Sequence, residues 1–163
     1  MKTEHLLIMR FTALGEVAML VPVVSSLAQQ YPELRITVLS NPFARSLFDG
    51  IAHNVGFMAA DLNGEYHGVK GLNALYRRLV AKNFTAIADM QSILRSSYLR
   101  MRFNISSYRV EHLDNHRQDR RKLVATKDKC LRQLPSLFDD YLDVLARLGY
   151  NVRLDFQSLF PPT

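Results

Sequence analysis

Glu16 is the side chain of this sequence best placed for acid–base chemistry. It follows an apolar run, Leu6-Leu-Ile-Met9, and a short turn from Arg10 to Leu14, with Gly15 supplying backbone freedom where the chain reverses. From Glu16 onward Val17, Leu20, Val21, Val24, Leu27, Ala28 and Tyr31 recur at the spacing of one helix face. A carboxylate in the first turn of a helix is stabilised by the helix dipole and remains a proton acceptor, which makes Glu16 a candidate general base. The plainer reading is a glutamate that favours helix initiation and nothing more.

A second chemistry is anion recognition. Lys70, Arg77, Arg78, Arg95, Arg100 and Arg102 are followed by the run Arg117, Arg120, Arg121 and Lys122. Guanidinium forks match phosphate oxygens, although any one of these residues reads equally as part of a solvated helix face. The formal charge of +6 favours an anionic partner in the same way. Nucleic acid is disfavoured, because no basic strand interleaved with aromatics and no binding motif is present. The turn after the first strand holds one glycine and no Walker lysine, which excludes a dinucleotide fingerprint and a P-loop. His112 and His116 stand four apart, but Asp114-Asn115 between them favours a turn, and His5, His53 and His67 are scattered, so no metal site is assigned. Cys130 is alone, which excludes an internal disulfide and suits a reducing, cytoplasmic setting. No apolar run has the length of a membrane span or the layout of a signal peptide.

The elements that must position these groups alternate. Strands are predicted at residues 6–9, 35–39, 55–59 and 86–89, a weak one at 108–110, and a short alternating one through Val152, Leu154 and Phe156. The first helix should kink at Pro22 and end before Pro32. A short helix at 43–48 is stopped by Asp49-Gly50, and the glycine-rich stretch 61–71 reads as a mobile surface loop. A helix over 72–83 buries Leu72, Leu75, Tyr76 and Leu79. Ser92 could cap the next helix, which carries Ile93, Leu94, Leu99 and Phe103. Pro135-Ser136 marks the start of the last helix, with Phe138, Tyr141, Leu142, Leu145 and Leu148 as its stripe and Gly149 at its end. This order predicts a Rossmann-like α/β fold, a mostly parallel sheet with helices on both faces. One domain should cover residues 1–158, and Pro161-Pro162 gives residues 159–163 the character of an interdomain linker.

The stretch Ile8-Met-Arg-Phe-Thr-Ala-Leu-Gly15-Glu16-Val-Ala-Met-Leu-Val-Pro22-Val resembles the N-terminus of the family 9 glycosyltransferases, the ADP-heptose:lipopolysaccharide heptosyltransferases. Tyr31-Pro32, Ile36-Thr-Val-Leu39, Ala88-Asp89-Met-Gln91-Ser-Ile-Leu94-Arg95-Ser96 and the stretch from Tyr141 to Tyr150 fit the same likeness. The resemblance implies the N-terminal, acceptor-binding half of a GT-B enzyme, whose donor-binding half would lie beyond this chain. It implies inverting transfer from a nucleotide sugar of the ADP-heptose type, with no metal and no tightly bound cofactor. By position Glu16 becomes the base, where the family usually carries aspartate, one methylene shorter. Thr12 and Gly15 would shape the turn around it, while Asp89, Gln91 and Arg95 would line the neighbouring strand end. Lys70, Arg117, Arg120, Arg121 and Lys122 would meet acceptor phosphates. The implied partners are the lipopolysaccharide core and lipid A acceptor and, peripherally, the inner face of the cytoplasmic membrane. The rival expectation is a non-catalytic α/β module that binds an anion or a nucleotide.

Overall fold

The sheet is built around its most apolar strand. In the computed structural model, which describes residues 4–105, 108–113 and 129–154, β1 (His5–Met9) is buried along its whole length. It is flanked by β2 (Arg35–Ser40) and β4 (Ala86–Asp89), with β3 (Val55–Ala59) and β5 (Arg109–His112) outside them, in the order β3-β2-β1-β4-β5. Every pairing is parallel, and Met9 lies opposite both Leu39 and Asp89.

Parallel neighbours require crossovers, and helices supply them. The helices α1 (Leu14–Ala18) and α2 (Leu20–Gln30) join β1 to β2, while a 3-10 turn at Pro42–Ala44 and α3 (Arg45–Phe48) lead to β3. Then α4 (Gly68–Val80) leads to β4, α5 (Leu94–Ile105) to β5, and α6 (Lys129–Arg147) packs back against the sheet. Alternate residues of β1 face opposite layers. Leu6 and Ile8 pack with Val17, Leu20, Leu27, Tyr141 and Leu145, and Leu7 and Met9 with Leu72, Leu75, Leu79, Leu99 and Phe103. A fully buried leucine or isoleucine stabilises by about 1.5–3 kcal/mol, so β1 supports both cores. After β1 the chain moves toward β2 and β3, and after β4 it moves toward β5. The carboxyl ends of β1 and β4 therefore form the topological switch point, where open α/β sheets bind ligands.

Several elements differ from the sequence expectation. The first helix starts at Leu14 and breaks at Met19. Pro22 accounts for the break, since it cannot donate to the Ala18 carbonyl and its ring crowds that group. The glycine-rich loop is shorter than expected because α4 begins at Gly68, whose φ of +70° lies in the left-handed region. Leu62 and Tyr66 of that loop are buried, and a Cβ on Gly71 would run into the Tyr66 backbone, so close packing is what this glycine serves. Ser92 Oγ donates to the Leu113 carbonyl at 2.8 Å, and at the start of α5 Ser96 Oγ accepts the Ile93 N–H at 3.0 Å. Leu94 is 88% exposed and is no part of the stripe that Leu99 and Phe103 bury. Pro135 and Ser136 lie inside α6, which starts at Lys129, and not at its start. Residues 151–154 form no strand, and Phe156 lies outside the described residues, as do residues 114–128 and the expected linker at 159–163.

Candidate functional site

The residue after β1 is the hub of the switch point. Arg10 is 6% exposed, a burial that a guanidinium tolerates only when its donors are satisfied. Its Nε donates to the Thr12 carbonyl at 2.9 Å and Nη1 to the Met90 carbonyl at 2.5 Å, while Nη2 donates to Glu16 Oε2. One side chain thus ties the turn after β1, the exit of β4 and the first turn of α1. Glu16 itself is half exposed. Its Oε2 also accepts the Ala13 N–H at 3.4 Å, and neither Arg10 nor Ala13 engages Oε1. Because α1 has five residues, its dipole is a minor support for the carboxylate, and Arg10 takes the role that the sequence reading gave to a longer helix.

Gln91 clamps the same turn from the β4 side. Its Oε1 accepts the Phe11 N–H at 2.7 Å and the Thr12 N–H at 3.3 Å, and its Nε2 donates to Thr12 Oγ1 at 2.7 Å. Asp89 supports Gln91 from below: Oδ1 accepts the N–H groups of Gln91 and Ser92 at 3.1 and 2.9 Å, and Oδ2 lies 3.4 Å from Arg100. Asp89 is fully buried, so it acts on the site through the backbone that it holds. Tyr141 of α6 donates its hydroxyl to the Glu16 carbonyl at 2.8 Å, and Arg10 lies over its ring at 5.9 Å. Burial pushes the Tyr141 hydroxyl well above the usual phenol range, so it remains a donor.

The structure therefore brings Thr12, Glu16, Asp89 and Gln91 together at one seam. Gly15 belongs to that seam for a different reason than expected: its φ is not positive and a Cβ there would meet nothing within 4 Å, so it leaves open ground beside Glu16. Arg95 donates to the Leu62 carbonyl at 3.1 Å and to Asn63 Oδ1 at 2.8 Å, which ties α5 to the loop after β3. Lys70 is exposed near the start of α4. Arg117, Arg120, Arg121 and Lys122 lie outside the described residues. Among the described residues no three potential ligands gather as a metal site. Two contributors went unread in the sequence. Arg10 looks like an ordinary turn residue, yet a charge directly after a fully apolar strand must find partners where that strand is covered on both sides. Tyr141 reads as part of an apolar stripe, and its hydroxyl was the signal, since a buried tyrosine needs an acceptor.

Solved structures give this arrangement a context. The chain matches the glycosyl transferase family 9 structure from Veillonella parvula DSM 2008 with a TM-score of 0.63 and 18% identity, over 97% of its own length and 47% of that chain. The fold is that of one half of a GT-B glycosyltransferase. It also matches the E. coli heptosyltransferase WaaC with ADP-2-deoxy-2-fluoro heptose, with a TM-score of 0.60 and 16% identity over 95% of this chain and 51% of that one. CalG4, the calicheamicin glycosyltransferase, matches with a TM-score of 0.53 and 16% identity over 93% and 42%. The chain spans about half the length of these GT-B structures. No protein-family model matches it, and no curated protein does.

Proposed function

We propose that this chain is the acceptor-binding half of a heptosyltransferase-like glycosyltransferase, with Glu16 as the general base. The observation that carries the reading is a half-exposed carboxylate at the β1–β4 switch point, anchored from behind by a buried arginine. In the reaction the acceptor hydroxyl oxygen attacks the anomeric carbon of a nucleotide sugar of the ADP-heptose type. Glu16 takes the hydroxyl proton, and the bond to the diphosphate breaks with inversion. The nucleotide is held by a separate donor-binding half, and no metal takes part. Bound ADP-2-deoxy-2-fluoro heptose in a structural neighbour supports a donor of this class. The acceptor is a lipopolysaccharide core on lipid A, met at the inner face of the cytoplasmic membrane. Lys70, Arg117, Arg120, Arg121 and Lys122 supply cations for its phosphates.

A thermal-shift titration tests this division of labour. A ligand that binds only the folded chain raises Tm by mass action, by about 2.7 kcal/mol of added stability at a hundred times Kd. A phosphorylated inner-core oligosaccharide should raise Tm for the wild type and for Glu16→Gln alike, and ADP should leave it unchanged. Stabilisation by ADP alone would give this chain the nucleotide and overturn the acceptor reading.

A further inference from the structure

We infer that Arg10 is a positioning residue for the proposed transfer, holding Glu16 so that Oε2 is turned into the chain and Oε1 is the oxygen offered to the acceptor hydroxyl. The inference rests on Glu16 being the base. Its physical content is a restriction of side-chain freedom. A glutamate with several rotatable bonds must keep its oxygen within about 3 Å of the proton it removes, and misplacement by about 1 Å can cost roughly 10²-fold in rate. Arg10 removes that freedom by joining three segments. Besides Glu16 it holds the Thr12 carbonyl at 2.9 Å and the Met90 carbonyl at 2.5 Å. Met90 is in turn fixed to β1 by its N–H on the Met9 carbonyl at 2.9 Å. The carboxylate is thereby referenced to both strands of the switch point. The Ala13 N–H shares Oε2, and the Tyr141 ring and hydroxyl close the arrangement from α6.

The chemistry assigns Arg10 no proton to move. The acceptor proton passes to Oε1, the new oxygen–carbon bond forms, and the electron pair of the breaking bond leaves on the diphosphate. Arg10 stays protonated throughout, as a guanidinium does in proteins. Its planar fork serves three acceptors in three directions, a task that a lysine ammonium on a flexible stem does not reproduce.

Two measurements test the assignment. The first is low-temperature nitrogen NMR of the arginine side chains in the chain itself. The wild type should show resolved, slowly exchanging Nη protons for Arg10, and Glu16→Ala should average them while backbone signals beyond the turn stay in place. Arg10 signals that do not change between the two proteins would overturn the positioning role, and this arm requires no Arg10 variant to fold. The second is transfer by the full-length protein from ADP-heptose to a phosphorylated core oligosaccharide. Arg10→Lys should lower kcat roughly 10²-fold while the acceptor KM stays within about twofold. Wild-type kcat in Arg10→Lys beside an inactive Glu16→Gln overturns the inference and spares the base. Full turnover in Glu16→Gln, or no transfer by the wild type, removes the base reading and the positioning role of Arg10 with it.

Discussion

The side chains around the switch point divide the work between holding and meeting solvent. Arg10 and Tyr141 are buried and spend their polar groups on other parts of the chain, Asp89 is buried and holds two backbone N–H groups through Oδ1, whereas the Glu16 side chain is half exposed. At the opposite end of β1 a second buried polar residue behaves differently. The His5 ring meets the Lys82 carbonyl through Nδ1 at 3.1 Å and Thr37 Oγ1 through Nε2 at 2.7 Å, and it lies 4.3 Å from Phe84. A neutral ring satisfies both bonds, donating from Nδ1 and accepting at Nε2. Burial lowers the His5 pKa below 6.5, the charges of Arg35 and Lys82 lower it further, and the Lys82 carbonyl opposes them. The folded state therefore binds this proton less readily than the unfolded state. The associated stability is fully present above the ordinary histidine range and is lost as pH falls below it. Chemical denaturation from pH 7.5 to 5 should show that loss, and His5→Gln should flatten it. An unchanged slope in the variant would mean that other groups set the acid sensitivity.

Among the elements, two glycines show how packing decides between gain and loss. Gly15 sits in α1 with no atom within 4 Å of an added Cβ, and Gly71 sits in α4 with the Tyr66 backbone in that space. Glycine to alanine in a helix gains up to about 1 kcal/mol from backbone entropy. At Gly15 nothing opposes the gain. At Gly71 the clash is with backbone, which cannot swing aside, and overpacking costs about 1–3 kcal/mol, so the sign reverses. Urea midpoints should rise for Gly15→Ala and fall for Gly71→Ala; a rise for both would mean that the 61–67 loop yields to α4. The same contrast explains what could be read from sequence. β1 was legible because the four apolar residues Leu6 to Met9 in a row suit a buried parallel strand, and α4 because its apolar stripe is regular. The start of α6 was not legible, because Pro135 and Ser136 form a strong local start signal while the helix begins at Lys129. Glu16 was legible by its place after a strand and turn. The arginine that fixes it was not, because its partners at Met90 and Thr12 are backbone carbonyls, which leave no mark in residue types.

At the scale of the whole molecule, the central strand makes the two helical layers one cooperative unit. Leu7 and Ile8 are neighbours in sequence and both are fully buried, yet they belong to opposite cores. Truncating either to alanine removes a similar apolar volume and should cost about 2–5 kcal/mol. If the layers unfolded separately, each variant would disturb only its own side. Tyr141 lies with Ile8, and Tyr76 lies with Leu7, so tyrosine near-UV signals sample both cores while far-UV ellipticity follows all the helices. Because β1 pairs with β2 along one edge and with β4 along the other, neither layer can lose the strand without the other. Leu7→Ala and Ile8→Ala should therefore lower a single transition in which near-UV and far-UV melts still coincide. A melt that splits in Leu7→Ala alone would place the α4–α5 layer on its own folding unit, and the rigid seam at Arg10 and Gln91 would then rest on the α1–α2–α6 side only.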